Sequence, residues 1–143
     1  MNDPKRKKRH REKQRRRAVT AKEHPLVTIA QYGPDDHTIT KVVASLFRHK
    51  RDRGTDLKRW VGTDITESPT FRKELPDYIK KARARKIVMT RGVIGCIHEE
   101  EKDYPKGQEC PFCPFWRGRD RWAHADPVVM HVSAFEDDKP WPG

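Results

Sequence analysis

Residues 95–116 have the sequence GCIHEEEKDYPKGQECPFCPFW, and this segment indicates how the fold is stabilised. All three cysteines of the 143-residue protein lie in it, with a histidine two positions after the first cysteine. Three thiolates and one imidazole complete the tetrahedral shell of a structural zinc ion and leave no position open for chemistry. The pattern therefore predicts a Zn²⁺ site formed by Cys96, His98, Cys110 and Cys113.

The spacing of these four residues suits a single metal ion. Side chains at i and i+2 of an extended segment point to the same side, so Cys96 and His98 can converge on one ion. The C-x2-C pair of Cys110 and Cys113 is typical of structural zinc sites. The alternative, three thiols without a metal, leaves unexplained why every cysteine lies near one histidine.

The overall composition indicates a small domain that needs additional stabilisation. Hydrophobic residues make up 34% of the chain and charged residues 37%. So small an apolar content often requires a metal to support the core. The odd cysteine count disfavours a secreted disulfide framework, and we find neither a signal-peptide h-region nor a membrane-spanning apolar run. We therefore expect a reduced, cytoplasmic compartment and no membrane partner.

The rest of the sequence predicts an α+β domain, with a small antiparallel sheet and one main helix. The zinc knuckle, the segment that contains the four candidate ligands, would hold this domain together. Runs rich in β-branched residues and bounded by turn residues indicate the strands. We predict strands over residues 26–32, 38–47, 57–61 and 87–90, and a last strand within 127–135.

The helix is predicted to begin at Ser68, because serine is a favoured N-cap and Pro69 suits the first helical position. Pro76 interrupts the helical pattern and should kink the helix or split it in two. Apolar residues recur at the spacing of one helix face: Phe71, Leu75, Tyr78, Ile79 and Ala82.

The net charge of +11 is distributed unevenly along the chain. Residues 1–24 hold 11 Lys/Arg and 3 Asp/Glu, which gives +8, whereas residues 25–143 hold 21 and 18, which gives +3. A segment with so few apolar residues cannot fold alone. We predict a disordered basic arm over 1–24, a zinc-binding α+β domain over 25–135 and a flexible tail over 136–143.

The basic arm indicates a nucleic-acid partner, and RNA is favoured over DNA. The RNA could be part of the ribosome or of another ribonucleoprotein. A dense Lys/Arg run neutralises phosphates without a sequence code, and Arg-rich segments commonly order on RNA. A solubility or localisation patch is the alternative. The candidate nucleic-acid-binding residues are Lys5, Arg6, Lys7, Lys8, Arg9, Arg11, Lys13, Arg15, Arg16, Arg17, Arg117, Arg119 and Arg121.

Three other interpretations compete with this one, and none leads us to predict a catalytic residue. The C-P-F-C element is similar to a glutaredoxin dithiol, but no helix is predicted after it. The His98-x-Glu100 pattern with C-x2-C resembles a zinc deaminase, although the nine residues between Glu100 and Cys110 are too few for that fold. An adaptor that docks a protein through residues 116–122 is the third.

Several motifs resemble those of one family of small bacterial proteins. They are Q-Y-G-P-D-D at 31–36, I-G-C-I-H-E-E at 94–100 and C-P-F-C-P-F-W-R-G at 110–118. The resemblance covers roughly residues 27–119 and implies that the family shares Cys96, His98, Cys110 and Cys113. Ile97 departs from the proline expected at its position. The resemblance implies no function.

Overall fold

A computed structural model describes residues 23–99, 101–108, 110–117, 127–136 and 139–142. Within these residues it confirms the predicted α+β architecture, with a five-stranded sheet and one main α-helix. The strands are β1 (Leu26–Tyr32), β2 (Lys41–Phe47), β3 (Thr55–Val61), β4 (Lys86–Val93) and β5 (Val128–Met130), and the helix is α1 (Pro69–Ala82).

The sheet is mostly antiparallel and has the strand order β3-β2-β1-β4-β5. Strands β1 and β2 form an antiparallel hairpin, with Ala30 opposite Val43, and β2–β3 and β4–β5 are also antiparallel. The β1–β4 pair is parallel. A parallel pair needs a crossover connection, and the segment containing α1 joins β3 at one edge to β4 beyond β1.

Helix α1 begins where the sequence predicts. The Ser68 hydroxyl accepts a hydrogen bond from the Phe71 N–H at 3.4 Å, as an N-cap should. Phe71, Leu75 and Ile79 are buried against the sheet. The helix is not split at Pro76, because burial of the apolar side chains before and after it offsets the loss of one backbone hydrogen bond.

The boundaries of four predicted strands differ from the structure, and of these β3 begins at Thr55 rather than at residue 57. Strand β2 begins at Lys41 rather than at residue 38, because the Asp35 carboxylate accepts hydrogen bonds from the Thr38 N–H at 2.7 Å and hydroxyl at 3.1 Å and holds it in the turn. Strand β4 extends beyond residue 90, to Val93. Strand β5 ends at Met130, and Val132–Phe135 forms a 3-10 turn instead of continuing the predicted strand.

Trp141 joins the core from the segment that the sequence predicts to be a loose tail. Its ring centroid lies 5.1 Å from that of Phe71 and 5.6 Å from that of Phe135. Its indole N–H donates to the Gln31 side-chain oxygen at 2.8 Å. The Gln31 amide nitrogen donates in turn to the Thr90 carbonyl at 3.1 Å, so this fully buried amide is satisfied on both sides.

The two faces of the sheet have different neighbours. Alternate β1 residues Val27 and Ile29 point toward α1 and belong to the main core. Thr28, Ala30 and Tyr32 point to the opposite face, where they line a groove together with the segment 96–99. The first half of the predicted zinc site therefore lies on the side of the sheet that faces away from the helix.

Candidate metal centre

The end of β4 presents the first two candidate ligands. The Ile94 N–H donates to the Gln31 carbonyl at 3.0 Å, and the Gly95 carbonyl accepts from the Gly33 N–H at 2.9 Å. These bonds hold the exit of β4 beside the end of β1. Cys96 follows directly and is 1% exposed.

A short loop returns the chain to the second pair of candidate ligands. The Glu101 N–H donates to the Tyr104 carbonyl at 2.8 Å, and Gly107 has a φ of 81°, which favours glycine. Cys110 and Cys113 then lie buried before the 3-10 turn Pro114–Trp116. We call residues 95–117 the knuckle.

The four candidate ligands lie close together, and their geometry fits one ion. One donor atom from each of Cys96, His98, Cys110 and Cys113 lies within 4.8 Å of the other three. The Nδ1 atom of His98 is 3.4 Å from the sulfur of Cys110 and 3.4 Å from that of Cys113. Ordinary Zn–S and Zn–N bonds at a tetrahedral angle place such atoms about 3.6 Å apart. These residues can therefore bind a metal ion.

The sulfurs of the cluster shift one another's pKa values. Burial raises the pKa of the Cys113 thiol to about 12, and the sulfurs of Cys96 and Cys110 add to that shift. Burial also acts to raise the pKa of Cys110, but hydrogen bonds from the backbone N–H groups of Phe112 and Cys113 and from the sulfurs of Cys96 and Cys113 together outweigh it, and the net shift is downward. A metal ion bound here would displace the proton of Cys113 and offset the repulsion between the thiolates.

Aromatic residues of the knuckle divide between the interior and the surface. Trp116 is buried, and its indole N–H donates to the Gly33 carbonyl at 2.9 Å. Phe115 packs edge-on against it at 5.1 Å between ring centroids. Phe112 is 60% exposed and lies 4.9 Å from the His98 ring. Trp116 thus anchors the knuckle to the turn after β1, whereas Phe112 covers the histidine from the solvent side.

An ion-pair cluster that sequence reasoning missed joins the knuckle to the sheet. Glu99 accepts from the Lys41 ammonium at 2.8 Å and from the Arg59 guanidinium at 2.7 Å. Lys41 also donates to the Ile97 carbonyl at 3.0 Å, and its side chain is only 8% exposed. Hydrogen bonds from Lys41 and then Arg59 lower the pKa of Glu99 to about 2. We call these three residues the joint. One feature of the sequence indicates it: Lys41 lies within the predicted strand 38–47, among apolar residues.

The structure describes only part of the predicted nucleic-acid surface. Arg117 is exposed, and its guanidinium donates to the Pro111 carbonyl at 3.2 Å, within the knuckle. Glu100, the residue that the enzyme hypothesis needs, lies outside the described residues. The other predicted contacts also lie outside them: Lys5, Arg6, Lys7, Lys8, Arg9, Arg11, Lys13, Arg15, Arg16, Arg17, Arg119 and Arg121.

A second group of side chains that could bind a metal ion is explained by its role in a turn. Asp35, Asp36 and His37 lie close together in the turn after β1 and are mostly exposed. The Asp35 carboxylate accepts from the His37 N–H at 3.0 Å, as well as from Thr38. This is the pattern of an Asx turn, so these residues shape the turn, as the sequence indicates.

Comparisons with protein-family models, with curated proteins and with solved structures find no match to this chain. The resemblance based on the three motifs therefore stays a prediction. In the described part of the chain, no helix has the length and apolar character that crossing a membrane requires.

Proposed function

We propose that this protein is a zinc-stabilised nucleic-acid-binding protein of the cytoplasm. It binds RNA, or a ribonucleoprotein surface such as the ribosome, through its N-terminal arm. The observation that carries the proposal is the charge distribution: 11 of the 32 Lys/Arg residues lie within the first 24 positions, with only 3 acids. Such a run attracts phosphate backbones through counterion release and needs no base-specific contact.

The metal in this proposal is zinc, and its role is structural. Three sulfurs and one imidazole nitrogen are a donor set that zinc prefers, and four protein ligands leave no position for water or substrate. The proximity of Cys96 to the other three donors supports the closed shell. A metalloenzyme would need Cys96 away from the ion. Zinc content and a metal-edge spectrum that shows three sulfur ligands and one nitrogen ligand would test this part.

RNA binding by full-length protein tests the arm. The informative variant replaces Lys5, Lys7, Lys8, Lys13 and the arginines between residues 6 and 17 with glutamine. We expect wild-type protein to bind a labelled RNA hairpin with an affinity that falls steeply with salt. The variant should bind much more weakly and with a flatter salt slope, because each phosphate contact contributes about 0.9 to that slope.

A matched control exchanges arginine and lysine within the arm and so keeps its charge. If binding is electrostatic and independent of sequence, the control should resemble wild type. Equal affinity and equal salt slope for wild-type and glutamine-substituted protein would contradict the proposal. A parallel series with DNA of the same sequence measures the preference for RNA.

A further inference from the structure

Positive charge in the chain after the arm is concentrated on α1 and its exit. Residues 69–86 hold seven Lys/Arg and two Asp/Glu, a net charge of +5. Residues 25–143 as a whole carry only +3, from 21 basic and 18 acidic residues. The remainder of that segment has 14 basic and 16 acidic residues and is close to neutral. Residues 69–86 are thus a net positive segment in an otherwise nearly charge-balanced region.

The charged side chains of α1 point away from the core. Phe71, Leu75 and Ile79 define the buried side of the helix, and the helical period places Lys73 and Lys80 opposite them. We define the basic helix face as the exposed residues Lys73, Lys80, Lys81 and Arg83.

Ion pairing within the domain does not account for these cations. Among the described residues, none of the four takes part in an ion pair, although the exposed Asp77 lies on the same side. The other acid of the helix, Glu74, is bound to Lys58 at 3.1 Å and to the Trp60 indole at 2.6 Å. It therefore cannot neutralise the basic helix face.

Helix stability also does not account for all of these residues. The helix dipole favours Lys80, Lys81 and Arg83 near its C-terminus, but it does not favour Lys73 near the start, where the first turn has no acid. Arg83 ends the helix with a φ of 52°, a left-handed conformation in which glycine is normally preferred. An arginine at this position costs backbone energy relative to glycine, so the backbone does not explain its presence.

The basic arm joins the domain beside this face. The Pro25 carbonyl accepts a hydrogen bond from the Arg85 N–H at 2.8 Å, and the Glu23 carboxylate lies 3.3 Å from the Lys86 ammonium. The chain therefore enters the domain two residues beyond Arg83. The segment that leads to the arm is therefore close to the basic helix face, so one RNA strand can contact both.

We propose that the basic helix face is a second contact for the sugar–phosphate backbone of the RNA that the arm binds, an inference that rests on the proposed function. Lys73 and Lys80 are seven residues apart, or about 10 Å along the helix axis, which matches about three phosphates along one strand. A polyanion complements this surface, because the four cations of the basic helix face have only one acidic residue, Asp77, on the same side of the helix. The exposed backbone of RNA supplies that charge without base recognition.

Two full-length variants with the same change in charge test the proposal. The first carries Lys73→Gln, Lys80→Gln and Lys81→Gln. The second, its control, carries Lys50→Gln, Arg51→Gln and Arg53→Gln in the exposed turn between β2 and β3. Binding of a labelled RNA hairpin is measured between about 50 and 200 mM salt. We expect the helix variant to lose affinity and its salt slope to fall by about 2 to 3, and the turn variant to stay near wild type.

Equal losses for the two variants would overturn the proposal, because only net charge would then matter, and so would no loss for the helix variant. Failure of wild-type protein to bind RNA would instead remove the proposed function itself. Arg83→Gly separates binding from folding. It should keep or raise the melting temperature, since glycine relieves the left-handed backbone, while it weakens RNA binding. A variant that is more stable and binds normally would exclude Arg83 from the face.

Discussion

Within the described residues, two buried clusters are stabilised in different ways. The main core between the sheet and α1 contains thirteen buried apolar residues, with the buried Gln31 beside them. The second cluster contains six residues, Val93 at the end of β4 and five in the knuckle, and three of these are the cysteines of the candidate metal site. Burial of apolar area can stabilise the first cluster alone. The second buries little apolar area, so we expect metal ligation to supply what packing does not.

The largest expected effect comes from removing the metal. Structural zinc binds small zinc-finger peptides with about 10–16 kcal/mol, which is more than a few hydrogen bonds and ion pairs contribute. We expect chelation to remove hydrogen-exchange protection from the amides of Tyr104 and Trp116. The paired strands β1, β2 and β4 should keep much of theirs. Amide exchange followed by NMR, before and after chelation, measures both regions in one sample.

Cys113→Ser should reproduce the effect of chelation without a chelator. Serine removes one thiolate ligand and changes the local volume little. If the knuckle stays protected in metal-free protein, packing alone suffices and the comparison between the two clusters fails. If the whole sheet loses protection, the two clusters form one cooperative unit rather than two.

Phe71→Ala should give the next largest effect, and in the opposite cluster. Phe71 is fully buried, and its ring centroid lies 5.2 Å from that of Trp60 and 5.1 Å from that of Trp141. Truncation of a buried phenylalanine costs about 3–5 kcal/mol. Denaturant unfolding should show this loss, while metal content below the transition stays stoichiometric. Phe112→Ala is the matched control and should change stability by about 0.5 kcal/mol or less, because Phe112 is 60% exposed.

Local sequence signals predict the parts of the molecule that depend on local chemistry. The spacing of Cys96, His98, Cys110 and Cys113 leads to the candidate site, because turn geometry and strand alternation fix which neighbouring side chains converge. The start of α1 follows from Ser68 and the apolar period, for the same reason.

Features that depend on distant parts of the chain could not be predicted in this way. Glu99 appears in the sequence as one of three consecutive acids, and its partners lie 58 residues away at Lys41 and 40 away at Arg59. Trp141 follows a polar segment, and only the folded sheet brings Gln31 to its indole N–H. The late start of β2 has a local cause instead: the hydrogen bonds from Thr38 to the Asp35 carboxylate override the strand pattern that begins at residue 38.

Disruption of the joint should have the smallest effect. It tests whether the joint couples the knuckle to the sheet. Glu99→Gln removes the charge that Lys41 and Arg59 share, while it keeps a hydrogen-bond acceptor. A hydrogen bond to a charged group contributes about 1.5–3 kcal/mol, and the side chain of Glu99 is 30% exposed, so we expect about 1–2 kcal/mol. The measurement is the affinity for zinc in competition with a chelator, which should fall while core unfolding changes little.

A double-mutant cycle with Lys41→Met distinguishes a true joint from two independent contacts. Loss of Glu99 alone leaves the buried Lys41 ammonium without its carboxylate, whereas Lys41→Met with Glu99→Gln leaves only the exposed Arg59 without that partner. The double variant should therefore bind zinc more tightly than the sum of the two single losses implies. Glu101→Gln is the control, because its pair with Lys106 spans 3.5 Å between side chains that are 65% and 79% exposed. Strictly additive losses would mean that the joint does not couple the knuckle to the sheet.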